Sequence, residues 1–85
     1  MVNDGDYVAI FNSIHRVLKA EKLLKGARLA MLLIPVPRSL SSDCGLAIRY
    51  AAADRAVVEE TLAAAQLLPE EIYVKEGKAY RKVGE

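Results

Sequence analysis

The order in which strand-like and helix-like segments follow one another constrains the fold of this chain most. Residues 7–11 form an apolar run of aromatic and β-branched side chains, which predicts a buried strand in the middle of a sheet. Asn12 and Ser13 are good helix caps, and the apolar spacing that follows them predicts a helix over residues 13–25. We expect Gly26 to end this helix by adopting a positive φ.

Strand-like and helix-like segments also follow one another in the rest of the chain. Several of these segments end at prolines. Pro35 and Pro37 end a second strand, because proline cannot donate a hydrogen bond to a neighbouring strand. Asp54 can cap a second helix, and Pro69 ends it. The predicted segments are strands over residues 29–36, 45–50, 72–75 and 79–83 and a helix over residues 55–67.

The resulting order is βαββαβ, and the C-terminal hairpin around Gly77 leaves room for one extra strand. This order predicts an α+β fold of the ferredoxin-like kind, in which two helices pack on one face of an antiparallel sheet. In that topology the third strand lies between the first and the second. The start of the first helix and the loop before the third strand then share one end of the sheet, which would bring Cys44 near Asn12, Ser13 and His15.

Composition and charge narrow the class of protein. The chain has 85 residues, of which 53% are hydrophobic and 27% charged, as is typical of a single globular domain over residues 1–85. A formal net charge of +1 provides no large field to attract nucleic acid or anionic lipid. The apolar run over residues 29–36 is too short to span a membrane, and Asp4 and Asp6 lie where a signal peptide would be cationic. We therefore expect a cytoplasmic protein with no nucleic-acid or membrane partner.

The sequence contains one cysteine, Cys44, and one histidine, His15. These two residues cannot supply the three or four ligands of a zinc site, so no metal is expected, and a single cysteine excludes an internal disulfide. Sheets of this kind often associate through an exposed face or edge, so a homodimer stays open as an alternative to a monomer.

The loop over residues 35–45 contains the groups that a reactive thiol needs. A thiolate at neutral pH requires nearby positive charge or hydrogen-bond donors, which lower the pKa of cysteine from its usual value of about 8.5. Arg38 offers a fixed cation and the loop serines offer hydroxyl donors, whereas the carboxylate of Asp43 acts in the opposite direction. The candidate reactive residue is Cys44, and the candidate binding residues are Arg38, Ser39, Ser41, Ser42, Gly45 and His15.

Several of these residues also have a purely structural interpretation. Free cysteine is among the residue types most often buried, although the polar residues before Cys44 favour its exposure. His15 can be an exposed helix residue instead of a general base. Arg38 can be a solvated side chain instead of an anion-binding one.

A longer motif surrounds the cysteine. Residues 34–49 read I-P-V-P-R-S-L-S-S-D-C-G-L-A-I-R, and the earlier residues that belong to the same pattern are Phe11, Ser13, His15 and Glu21. With these residues the chain resembles a small bacterial family described as selenium or sulfur carrier proteins. That family is similar in role to the TusA-like sulfur carriers, whose cysteine lies in a Cys-Pro-x-Pro motif at the start of a helix. In this chain Pro-Val-Pro precedes Cys44 by several residues, and the cysteine leads into a strand.

The resemblance implies that Cys44 accepts a sulfane sulfur or selenium atom, as a persulfide or selenenyl sulfide, and passes it on. The implied partners are a cysteine desulfurase-like donor and an acceptor protein, and no cofactor is required. The alternative hypothesis is a non-catalytic binding or assembly module, in which the loop over residues 35–45 binds a small anion or a partner subunit. A thiol-dependent enzyme is a third hypothesis, and a carrier or accessory protein fits better because so short a chain leaves little room for a substrate pocket.

Overall fold

The computed structural model describes residues 2–40 and 45–84 and contains two α-helices and a five-stranded antiparallel sheet. The fold is therefore a mixed α+β fold. No helix within the described residues combines the length and the apolar character that crossing a membrane requires. The elements are β1 (Tyr7–Ile10), α1 (Ile14–Gly26), β2 (Leu32–Pro35), β3 (Leu46–Tyr50), a 3₁₀ turn (Ala52–Asp54), α2 (Arg55–Ala64), β4 (Glu71–Glu76) and β5 (Ala79–Lys82).

The strands lie in the order β2-β3-β1-β4-β5, and every neighbouring pair is antiparallel. β1 is central and β3 lies between β1 and β2, as the sequence predicts. Ile10 at the end of β1 pairs with Ala47 of β3 and with Glu71 of β4, and Pro35 at the end of β2 pairs with Leu46. The ends of β1 and β2 and the starts of β3 and β4 therefore lie together at one end of the sheet. We call it the loop end of the sheet.

The first helix begins where the sequence predicts but ends differently. The Ser13 hydroxyl accepts a hydrogen bond from the backbone N–H of Arg16 at 3.3 Å, which caps the first turn. The prediction that Gly26 adopts a positive φ is wrong, because Gly26 is still helical and Arg28 adopts φ 60° instead. The N–H of Leu29 then bonds to the carbonyl of Leu24 at 3.0 Å, which completes a Schellman turn.

The second helix ends in the same kind of turn. Gln66 adopts φ 59°, and the N–H of Leu67 bonds to the carbonyl of Leu62 at 2.9 Å. α2 therefore stops at Ala64, before the predicted end at residue 67 and well before Pro69. In both turns the residue after the positive φ is a leucine that packs against the main core, Leu29 after α1 and Leu67 after α2. The apolar contact fixes each end, and it also explains why β2 starts at Leu32 and not at residue 29.

Two apolar clusters lie on opposite faces of the sheet, because successive residues of a strand point to opposite sides. The main core combines both helices with one face of β1 and β3: Ala9, Phe11, Val17, Ala20, Leu24, Ile48, Tyr50, Val58, Leu62 and Leu67. The smaller cluster, on the other face, consists of Val8, Ile10, Ile34 and Ala47. The partly buried residues that pack against this smaller cluster are Val2, Val36, Leu40, Tyr73 and Tyr80.

A polar network ties the start of α2 to the sheet. The Tyr50 hydroxyl, on a side chain only 1% exposed, donates to the carboxylate of Glu59 at 2.8 Å, and the Nε of Arg55 donates to the same oxygen at 3.1 Å. Burial, together with the hydrogen bond to Glu59, raises the pKa of Tyr50 well above its usual range. The hydroxyl of Tyr50 therefore stays protonated and available as a donor. The ring of Tyr7 also stacks on Tyr50, with the ring centroids 5.8 Å apart.

Replacing Glu59 by alanine should lower the free energy of unfolding by about 1–3 kcal/mol, because it leaves the buried hydroxyl of Tyr50 without its acceptor. Urea denaturation followed by circular dichroism measures this difference. The control is Glu60→Ala, which changes the exposed neighbour on the same helix and should stay within about 0.5 kcal/mol of the parent. Equal losses in the two variants would contradict the role of the network.

Candidate functional site

The loop between β2 and β3 is closed at its base by backbone hydrogen bonds. The N–H of Val36 donates to the carbonyl of Gly45 at 3.0 Å, which extends the β2–β3 ladder by one pair beyond Pro35 and Leu46. On the β2 side, the N–H of Leu40 donates to the carbonyl of Pro37 at 2.9 Å. This bond closes a four-residue turn whose two central residues are Arg38 and Ser39.

The described part of the loop presents three of the predicted site residues to solvent. Arg38, Ser39 and Gly45 are all exposed. Arg38 makes no ion pair with any residue in the described ranges. Cys44, with Ser41, Ser42 and Asp43, lies outside the described residues, so its predicted exposure and reactivity stay predictions.

The first turn of α1 lies at the loop end of the sheet, as the topological argument requires. Its cap Ser13 follows shortly after the end of β1, and His15, the second residue of the helix, is exposed. The side-chain amide of Asn12 donates to Glu70 at 3.2 Å, which links this corner to the start of β4. Within residues 2–40 and 45–84 no hydrogen bond joins His15 to Arg38, Ser39 or Gly45. The structure therefore places these residues at one end of the sheet, and no hydrogen bond joins them among the described residues.

An open cavity of about 300 Å³ adjoins the loop, and the sequence did not predict it. Residues 34–38 form one side of it. Val2 and Tyr80, which are remote from the loop in the sequence, complete the described lining. The alternation of side chains along β5 indicates which face of the sheet Tyr80 occupies. No sequence pattern indicates that Tyr80 and the loop after β2 line the same cavity.

The arginine at the end of the motif has a structural role. Arg49 forms an ion pair with Asp6 at 3.0 Å, and the same Asp6 oxygen accepts the backbone N–H of Asn3 at 2.9 Å. Asp6 is only 8% exposed. Arg49 therefore holds the segment before β1 against the sheet instead of contacting the loop. Among the described residues no three acidic, histidine or cysteine side chains cluster in a way that could hold a metal ion.

Replacing Gly45 by alanine should lower the free energy of unfolding by about 1–2 kcal/mol, because Gly45 has φ +73° and a side chain disfavours that conformation. The matched control is Gly26→Ala, because Gly26 is helical and a Cβ added to either glycine meets no described residue outside its own local backbone within 4 Å. Alanine at Gly26 should stabilise the protein by up to about 1 kcal/mol. Thermal denaturation of the two variants tests whether their changes in stability have opposite signs. Stabilisation by Gly45→Ala would contradict the assigned loop geometry.

Comparisons with known proteins give one match. Neither the curated proteins nor the solved structures contain a match to this chain. The family described as "Putative Se/S carrier protein-like" matches residues 6–74, a range that contains every strand and helix except β5 and the last two residues of β4. The matched range also contains the whole loop over residues 35–45. The chain therefore belongs to this family of selenium or sulfur carrier-like proteins.

Proposed function

We propose that this protein is a sulfur or selenium carrier that holds its cargo on Cys44. In the sulfur reaction the Cys44 thiolate attacks the outer sulfur of a donor's persulfide. A new S–S bond forms on Cys44, the donor's S–S bond breaks, and the donor leaves as a thiolate. Transfer to the acceptor repeats the same exchange, so no external oxidant or reductant takes part.

Membership of the carrier-like family over residues 6–74 is the observation that carries this proposal. Cys44 is the only cysteine of the chain, which suits a carrier because no second thiol can expel the cargo by forming an internal disulfide. Arg38 and Ser39 are exposed on a turn whose ends are fixed by hydrogen bonds. Their guanidinium and hydroxyl groups, with Ser41 and Ser42, are the donors proposed to stabilise the terminal anion of the loaded cysteine.

The setting of the site is part of the same proposal. The strand order β2-β3-β1-β4, with β5 added beside β4, supports a ferredoxin-like arrangement for the single domain over residues 1–85. The core residues contributed by both helices support their packing on the same face. We propose a cytoplasmic protein that receives its cargo from a cysteine desulfurase-like donor and delivers it to an acceptor protein. His15, exposed at the loop end, would face such a partner.

Incubation with a cysteine desulfurase and free cysteine should add the mass of one sulfur atom to the protein. Intact-mass spectrometry without reductant measures the addition, and dithiothreitol should remove it because a persulfide is a labile sulfane bond. Cys44→Ser provides the control and should gain no mass. If the parent protein gains no mass although the desulfurase itself carries a persulfide, the carrier function is contradicted. The binding-module hypothesis would then remain.

Arg38→Ala should slow the alkylation of Cys44 by iodoacetamide at pH 7, by about twofold at low salt, because it removes a cation that favours the thiolate. The difference should shrink as salt is added, since exposed charges are screened over about 8–10 Å. Lys22→Ala on α1 removes another exposed cation and serves as the control. Identical rates for the two variants at low salt would show that Arg38 does not act on the thiol.

A further inference from the structure

The cavity beside the loop has the dimensions of a site for a small molecule. Its floor is the buried side chain of Ile34, and the segment Pro35-Val36-Pro37 and the side chains of Val2 and Tyr80 surround it. A volume of about 300 Å³ equals that of about ten water molecules and lies at the lower end of the range for small-molecule sites. A single hydrosulfide ion would leave most of this space unfilled.

The described lining of the cavity is apolar except for two polar side chains, and neither of these uses its hydrogen-bond donors on a described residue. Arg38 has no ion-pair or hydrogen-bond partner in residues 2–40 and 45–84, and neither does the hydroxyl of Tyr80. Burial raises the pKa of Tyr80, so the phenol stays protonated and can donate. The described lining contains no carboxylate. The described part of the site therefore offers donors and one positive charge to a ligand, and no acidic group among the described lining residues repels an anion.

The walls of the cavity are fixed before any ligand binds. Pro35 and Pro37 restrict the backbone on both sides of Val36, whose N–H is bonded to Gly45. On the opposite wall the Nζ of Lys75 lies 5.5 Å from the ring centroid of Tyr80 and donates to the carbonyl of Gly77 at 2.6 Å. Little conformational freedom would be lost on binding, which favours affinity.

We propose that this cavity binds a small organic monocarboxylate with an apolar body. The planar guanidinium of Arg38 matches the two oxygens of a carboxylate, and the Tyr80 hydroxyl donates to one of them. The apolar body contacts Ile34, Val36 and the proline rings. With one cation in the described lining, the charge of the site suits a monoanion better than a phosphate dianion. This binding uses no thiol, so it stands independently of the carrier function.

Titration of the ¹⁵N-labelled protein with benzoate at constant ionic strength tests the proposal. We expect saturable shifts of the amide signals of Val2, Val36, Arg38 and Tyr80, with a dissociation constant on the order of a millimolar for so small a ligand. Benzamide has the same size and shape without the charge, and it should bind at least about tenfold more weakly. The same shifts in Cys44→Ser would separate this site from any chemistry of the cysteine.

Three variants assign the contacts. Arg38→Gln should weaken benzoate binding about tenfold, and Tyr80→Phe should weaken it about two- to tenfold because a neutral hydrogen bond is lost. Lys22→Gln removes an exposed cation on α1 and should leave binding unchanged. Equal affinity for benzamide and benzoate, unchanged binding in Arg38→Gln, or shifts confined to residues outside the cavity would each overturn the proposal.

Discussion

Burial of β1 on both of its faces is the constraint on which the rest of the structure depends. Ala9 is fully buried beneath the helices, and Val8 and Ile10 are buried on the opposite face. A strand of this kind needs a hydrogen-bonded strand at each edge, because its backbone groups are buried and must be paired. It also needs apolar side chains packed on each face, because its own apolar side chains are favoured out of water. β3 and β4 provide the neighbours, and residues of α1 and α2 share the main core cluster with Ala9 of β1. The side chains packed on the opposite face come from the loop after β2, the N-terminal segment and two tyrosines.

Periodicity predicts the two helices of this fold well because each of them is buried along one face only. The spacing of Val17, Ala20 and Leu24 is a helical stripe, and all three are fully buried in the main core. Periodicity does not predict how the helices end. Gly26 is the residue whose intrinsic preference suits a positive φ, yet Arg28 adopts it, because the turn must carry Leu29 back onto the core. Tertiary contact outweighs the local preference of glycine at this position, and Gln66 shows the same outcome after α2.

The candidate site was predictable only in part, for a similar reason. Chain topology and antiparallel pairing were enough to place the loop, the cap Ser13 and the start of β4 at one end of the sheet. The cavity depends on segments that are distant in the sequence, which no local pattern relates to one another. β2 and β5 are opposite edge strands of the sheet, yet Tyr80 of β5 and the loop after β2 line one cavity.

The two arginines of the motif have different structural settings. Arg49 lies within β3 and faces the buried Asp6, so its charge is used in holding the N-terminal segment. Arg38 lies outside the ladder on a turn, where its charge is free of ion pairs with the described residues. Just before Arg38, the N–H of Val36 bonds to the carbonyl of Gly45, and Val36 also packs on the smaller cluster and lines the cavity. A ligand held against Val36 would therefore contact the backbone pair that positions the base of the cysteine loop. Val36 therefore belongs both to the base of the cysteine loop and to the lining of the cavity.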